Sequence, residues 1–395
     1  GYSSAASDVY KRQPNWLEIG TNTSFTHSTT DFAKTTSDQS GVIRSALIFP
    51  PTYDPNMEQT QSDQLSWLAA NPSAYVNNAR DQVKGINWFS SSFLEITFTD
   101  YLKFRQNLGI SYTDNHRAAY YDRSTYEGKA PVNGKAYKGS DRWQGVTAES
   151  ILTFNKEFTE NHRLNVVGAF TFENGSWDNE SLSVTNFPDD MTMDYDISRG
   201  LDKAVLASST GTQRLVSFLG RANYSLFDRY LVTASVRTDG SSKFVAKNKW
   251  ATFLSGAVAW RISEEKFIRD LNVFQNLKLR ASYGETGNQG IGSYRTIPQL
   301  GSSNYPFGGS LGAGSSMTSD PVSDDLRWET TRQVNVGLDA AFWNDGRLYF
   351  TVDYYYKKTR DLLQDVVIPG STGFQQMTVN TVSYTHLTLP TNSLV

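Results

Sequence analysis

DRYLVTASVRTDGSSKF (Asp228–Phe244), KWATFLSGAVAWRISEEKFI (Lys249–Ile268) and LKLRASYGETGNQ (Leu277–Gln289) lie in one stretch, and their reading decides the fold. Tyr230, Val232, Ala234 and Val236 fall on one side of a two-residue period. Leu231, Thr233, Ser235 and Arg237 fall on the other. Trp250, Thr252, Leu254, Gly256, Val258 and Trp260 repeat the pattern, as do Leu277, Leu279, Ala281 and Tyr283 against Lys278, Arg280, Ser282 and Gly284. A period of two specifies strands. Strands of this length, with aromatics near their ends and charge on one face, suit the wall of a membrane-spanning β-barrel.

Working outward, the same alternation returns along the chain. Strands are expected at Asn15–His27, Trp88–Phe98, Leu102–Tyr112, Gly145–Glu157, Arg163–Phe172 and Gln213–Leu226 before this stretch. Two more follow it, at Leu326–Phe342 and Arg347–Lys358. With the central three this makes about eleven. Their connections alternate in length. Tight turns are expected at Asp100, Asn161, Asp228 and Asp345, with a short helix from Ser263, where Glu264 and Glu265 suit a helix start. Long polar loops are expected from Thr113 to about Gln144, Glu173 to Gly211 and Glu285 to Asp325. The segment from Ser28 to Asn87 is longer still, with helix-like pieces at Asp63–Ala70 and Pro72–Val83. Short turns on one side and long loops on the other are the asymmetry of an outer-membrane barrel. In the last hairpin Val334, Val336, Leu338 and Phe342 match Leu348, Phe350, Val352, Tyr354 and Tyr356 as a lipid face. Lys103, Arg105, Arg221, Lys278, Arg280 and Asp353 fall on the lumen face.

The bulk composition agrees. The 395 residues carry a net charge of −3, which gives no sign of a nucleic-acid partner. Mean hydropathy is −0.48, and no apolar run reaches the roughly 20 residues of a membrane helix. Barrel strands bury their apolar signal in alternation, so this average does not argue against a membrane. There are 21 Tyr and 22 Phe, enough for aromatic girdles, and no Cys for disulfides or thiolate metal sites.

RYLVTASVRTDGSSKF, KWATFLSGAVAWRISEEKFI, LKLRASYGETGNQGIGSY and VNVGLDAAFWNDGRLYFTVDYYYKKTRDLL together resemble the SusC/RagA-type TonB-dependent outer-membrane transporters of the Bacteroidetes. The resemblance covers most of Asn15 to Thr381 and is strongest from Gln213 to Leu363. It implies an all-β, antiparallel transmembrane barrel of 22 strands, of which this chain holds about half as a curved open sheet. It also implies a plug domain that this chain does not show, and a SusD-like surface lipoprotein over the extracellular mouth. Energy would come from TonB, ExbB and ExbD. Cargo would be an oligosaccharide or a peptide, and the setting the Gram-negative outer membrane with its lipid. Residues 14–381 are then a partial barrel domain. Residues 1–13 and 382–395 resemble translated adapter sequence and are read as artefact tails.

No nucleophile, acid and base stand at catalytic spacing, so no enzyme activity is expected. No cofactor is expected either; the acidic loop around Asp189, Asp190, Asp194 and Asp196 leaves weak Ca²⁺ binding open, although its spacing is not that of an EF-hand. Sugars stack on aromatic rings, which makes loop aromatics the candidate substrate-binding residues: Tyr120, Tyr121, Tyr126 and Trp143 in one loop, Tyr294, Tyr305 and Phe307 in another. The leading expectation is TonB-dependent import of oligosaccharides or peptides. The alternatives are a passive porin-type channel and a surface glycan-binding β-protein without transport.

Overall fold

The computed structural model describes residues 3–8, 16–33, 41–52, 54, 71–297, 300–307, 310–317, 321, 323, 325–342, 348–381 and 384–387. For residues 3–8, 204–206, 300–317 and 384–387 only the backbone is described. Among these residues the dominant feature is one antiparallel sheet of thirteen strands. In chain order its strands are β1 (Ser3–Asp8), β2 (Leu17–Asp31), β3 (Ala79–Thr99), β4 (Leu102–Tyr121), β5 (Lys135–Thr159), β6 (His162–Thr185) and β7 (Asp202–Leu226). They continue with β8 (Tyr230–Ser241), β9 (Trp250–Arg261), β10 (Phe274–Asn288), β13 (Glu329–Phe342), β14 (Leu348–Arg360) and β17 (Tyr384–Leu387). Two small hairpins, β11 (Leu300–Phe307) with β12 (Ser310–Met317) and β15 (Leu362–Val367) with β16 (Gln376–Thr381), stand apart from it. Neighbours in the sheet are neighbours in sequence apart from these hairpins, and the sheet ends in two free edges at β1 and β17. All eleven strands expected from alternation are present. The two edge strands lie within residues 1–13 and 382–395, and a sheet edge pairs with any extended segment that reaches it.

The register carries the lipid face across the wall without a break. Phe25 stands opposite Trp88, and Trp88 opposite Tyr112. Phe170 faces Phe218, Val232 faces Val258, and Val258 faces Ala281. Ala281 faces Val336, and Val336 faces Tyr354. On this face Leu254 and Val258 leave 53% and 54% of their area uncovered, an arrangement that only lipid makes favourable. Trp250 and Trp260 mark its two borders on β9. At about 3.3 Å per residue and a tilt of roughly 40°, the ten residues between them rise about 25 Å, the height of the apolar band in such barrels. The opposite face is polar. Arg280 bridges Asp339 (3.1 Å) and Asp353 (2.8 Å), and Glu95 holds Lys103 (3.1 Å) and Arg105 (3.4 Å).

Four connections differ from the sequence reading. β4, β5, β6 and β7 run on well past the expected ends, so their two long loops shrink to residues 122–134 and 186–201. Beyond the bilayer both faces of a strand meet water, and the alternation that marks a strand in sequence is no longer required, although pairing continues. The segment before β3 contains α1 (Val42–Ile48), which was not expected, and α2 (Pro72–Asn78), shorter than foreseen because β3 starts at Ala79. Asn71 caps α2 by accepting from the amides of Ser73 and Ala74. The piece at Asp63–Ala70 and the turn at Asn344–Gly346 lie outside the described residues. After β9 the backbone makes a single 3₁₀ turn, Ile262–Glu264, before the four-residue α3 (Lys266–Arg269), so the helix begins after Glu265 and not at Ser263.

Between β7 and β8 the turn is tight. Phe227 and Asp228 both have positive φ (55° and 53°), and the Arg229 amide donates to the Leu226 carbonyl. This backbone twist matches that of a two-stranded ribbon.

Candidate functional site

The residues best arranged to meet a cargo lie on the polar face, near the end of the sheet that carries the long loops. Trp143 on β5 stands opposite Trp177 on β6, and Trp177 opposite Gly211 on β7. The two indoles are nearly parallel, with planes 9° apart and centroids 6.4 Å apart. Tyr294 extends the row, its ring 6.5 Å from that of Trp177. The Thr212 hydroxyl (3.2 Å) and the Thr212 amide, which donates to the Tyr294 hydroxyl at 2.8 Å, fix the ring and hold the phenol below its usual pKa.

Glycines make this shelf possible. A Cβ at Gly175 would stand 2.7 Å from the Trp143 ring, and one at Gly211 would stand 2.2 Å from the Trp177 ring. Each indole therefore lies across a bare backbone position on the next strand, and both rings are half-buried. Such a ring binds apolar C–H faces at little entropic cost, since packing has already removed its rotamer freedom.

Beside the shelf is a pocket of about 220 Å³, with Ser111, Trp143, Glu173, Gln213, Lys243 and Gln289 among its lining residues. It is smaller than the ~300 Å³ or more of a pocket that encloses a whole small molecule. It fits one unit of a longer chain, with hydroxyl, amide and charged groups to read it. Burial lowers the pKa of the Lys243 ammonium. The pocket borders a small core where the outer loops meet: Phe244, Phe253, Ile291, Leu326 and Trp328. Trp328 Nε1 donates to the Lys249 carbonyl (3.0 Å) and Asn248 to the Leu326 carbonyl (3.1 Å), tying the β8–β9 and β10–β13 connections together.

Of the aromatics singled out in sequence, the structure joins Trp143 and Tyr294. It separates them from the Tyr120 group. Tyr120 is fully buried against Ala136, Val184 and Phe187, and its hydroxyl donates to Asp190 at 2.6 Å, so it holds loops together and offers no open ring. Tyr121 faces the other side, donating to Asp81 (3.1 Å) with its ring 6.0 Å from that of Tyr75. Tyr126 lies in the 122–134 loop under the ammonium of Lys129, at 4.3 Å. Tyr305 and Phe307 fall on β11, and their side chains lie outside the described residues. Trp177 was missed because it lay in what read as a long acidic loop. The signal that would have found it is the pair Trp177 and Gly175, with Gly211 in a following strand.

The acidic loop is internally paired. Asp189 meets Arg199, which draws its pKa down, and Asp194 meets Arg80 at 2.8 Å. Asp190 lies near Arg123 (3.5 Å), and Asp196 accepts from Ser198. Among the described residues no group of three or more acidic or histidine side chains converges as a metal site would require.

The profile of the TonB dependent receptor-like, beta-barrel family matches residues 15–388. TonB-dependent receptor P3 of Formosa agariphila is 31% identical over 94% of this chain and 37% of its own length. TonB-dependent receptor SusC of Bacteroides thetaiotaomicron is 46% identical over 42% of this chain and 17% of its own length. The chain thus spans well under half of these relatives. A solved structure of the RagAB peptide importer in its closed-closed state superposes with a TM-score of 0.81 over 97% of this chain and 42% of that one, at 24% identity. With the two-faced sheet and the match over nearly its whole length, the chain belongs to the TonB-dependent receptor family, in its SusC/RagA type, and forms part of the barrel wall of an outer-membrane protein.

Proposed function

We propose that the protein whose wall this chain forms imports oligosaccharides across the outer membrane, driven by TonB. The observation that carries this reading is the Trp143–Trp177–Tyr294 shelf on the lumen face, next to a polar pocket sized for one unit of a chain. Flat rings take the apolar faces of sugars, and Ser111, Glu173, Gln213 and Gln289 supply donors and acceptors for their hydroxyls. A SusD-like lipoprotein would hold cargo over the mouth. A plug domain, contacted by TonB with ExbB and ExbD, would control its passage. A peptide is the other cargo such a mouth would admit.

The test uses the full-length protein in its own cell. Uptake of a glycan panel and a peptide panel is measured with and without TonB, and for Trp143→Ala with Trp177→Ala. TonB-dependent glycan uptake that the double variant loses supports the reading. Uptake that survives without TonB would make the protein a porin. Binding without uptake would make it a surface glycan-binding protein, and uptake of peptides alone would replace the cargo.

A further inference from the structure

The register places a second groove on the outer side of the wall. On β3 the lipid-facing Trp88 and Ile86 are followed, with the same parity, by Lys84, Gln82 and Arg80. Lys84 stands opposite His116, His116 opposite Ser140, Ser140 opposite Glu180, and Glu180 opposite Ser208. Between the Trp88 row and this one the pairing of β3 to β6 has no shift, so these side chains point outward as Trp88 does. They line a groove of about 790 Å³.

Its height follows from counting. Phe25, Trp88 and Tyr112 form an aromatic row at the top of the apolar band in this part of the wall. Lys84 lies four residues beyond Trp88, which at about 3.3 Å per residue and a tilt of roughly 40° is about 10 Å higher. That is the zone of the outer-leaflet headgroups.

The groove has a built far wall. The 186–201 loop folds over the outer face, where Arg80 holds Asp194 at 2.8 Å and the Asp194 side chain is only 4% exposed. The Arg80 guanidinium lies 4.7 Å from the centre of the Tyr195 ring. Leu182 and Ile197 add an apolar patch.

The charges inside are divided. Arg80 is spent on Asp194, and His116 lies 3.3 Å from Asp114. Lys84 and Lys138 have no carboxylate at ion-pair distance among the described residues, although the charge of Lys138 reaches Asp196. They stand two strands apart and two residues out of line, about 12 Å. Gln82, Ser140, Ser208 and the carboxylate of Glu180 lie around them.

We propose that this groove binds the headgroup of a phosphorylated glycolipid of the outer leaflet. Phosphates would sit on Lys84 and Lys138, and sugar hydroxyls on Gln82, Ser140 and Glu180. The acyl chains would run down the apolar face that begins at Ile86 and Trp88. Two separated cations with hydroxyl-reading groups between them match a sugar that carries phosphates, and continuity with the lipid face supplies the anchor.

The experiment takes the full-length protein in detergent and measures retention of bis-phosphorylated lipid A and of its dephosphorylated form. Lys84→Gln with Lys138→Gln is compared with the natural protein and with Lys156→Gln, an outward lysine at the opposite rim. Heat-modifiable mobility reports that each barrel is folded. The expected result is preference for the phosphorylated lipid, a loss of about tenfold in the double variant and no change in Lys156→Gln. Equal retention by all three proteins, or no preference for phosphate, overturns the proposal. If the double variant does not fold, a photo-crosslinker at Ser140→Cys in intact cells decides: captured glycolipid supports the site, and captured protein alone refutes it.

Discussion

Trp143 and Trp177 face each other across β5 and β6 with their ring planes 9° apart, and each ring rests over a glycine of the next strand. The pair gives part of a polar wall an aromatic surface.

Removing either ring is expected to weaken cargo binding by about tenfold, or ~1.4 kcal/mol, within the range of one aromatic contact. Titration of the full-length protein with a glycan taken up in the transport test proposed above checks this. Unchanged affinity in both Trp143→Ala and Trp177→Ala would remove the shelf from the binding path.

Gly211→Ala tests the floor beneath Trp177. The added methyl would stand 2.2 Å from the indole, so the ring must lift from the wall. Cargo affinity is expected to fall as far as in Trp177→Ala, with the barrel still folded. Combining Gly211→Ala with Trp177→Ala should cost no more than either alone, because both act through one ring.

The two faces should respond oppositely to charge. Val236→Arg, opposite Leu254, puts a cation on the lipid side near mid-height and is expected to cost ~2–4 kcal/mol of folding free energy. Ser235→Arg, on the lumen face, should cost far less. Refolding into bilayers at a series of urea concentrations measures both, and equal costs would mean the faces are assigned the wrong way round.

The periplasmic rim should be acid-sensitive. Glu265 accepts from the Tyr230 hydroxyl (2.8 Å) and from Trp260 Nε1 (3.2 Å), with Arg229 at 3.3 Å. The Tyr230 bond, first among these, lowers its pKa below the ordinary carboxylate range. A carboxylate with a depressed folded pKa stabilises above its unfolded pKa and loses that contribution as pH falls through the folded value. Glu265→Gln should therefore lower heat stability at neutral pH and flatten its decline toward acid. A parallel decline in both proteins would show that Glu265 takes no part in it.

Much of this was legible in the residues. Val232, Leu254, Val258 and Val336 alternate with polar neighbours because lipid wets one face of the wall and water the other, and that contrast is written into every second position. The upper parts of β4 to β7 are not legible, since Asp114, His116, Ser140 and Glu180 stand above the hydrocarbon layer and need no apolar partner across the strand. For the same reason Trp177 was read into a loop.

The sequence alone determined the strand class, the two faces, and the order of tight turns and long loops, and it offered Trp143 and Tyr294 only as separate loop aromatics. These depend on local period and turn chemistry, which neighbouring residues specify. Only the tertiary structure decided that Trp177 joins them, that Tyr120 is buried, and that Lys84 and Lys138 share an outward groove. Those relations run between strands far apart in the chain. They are set by cross-strand register and by where residues 186–201 fold back, and no local pattern encodes either.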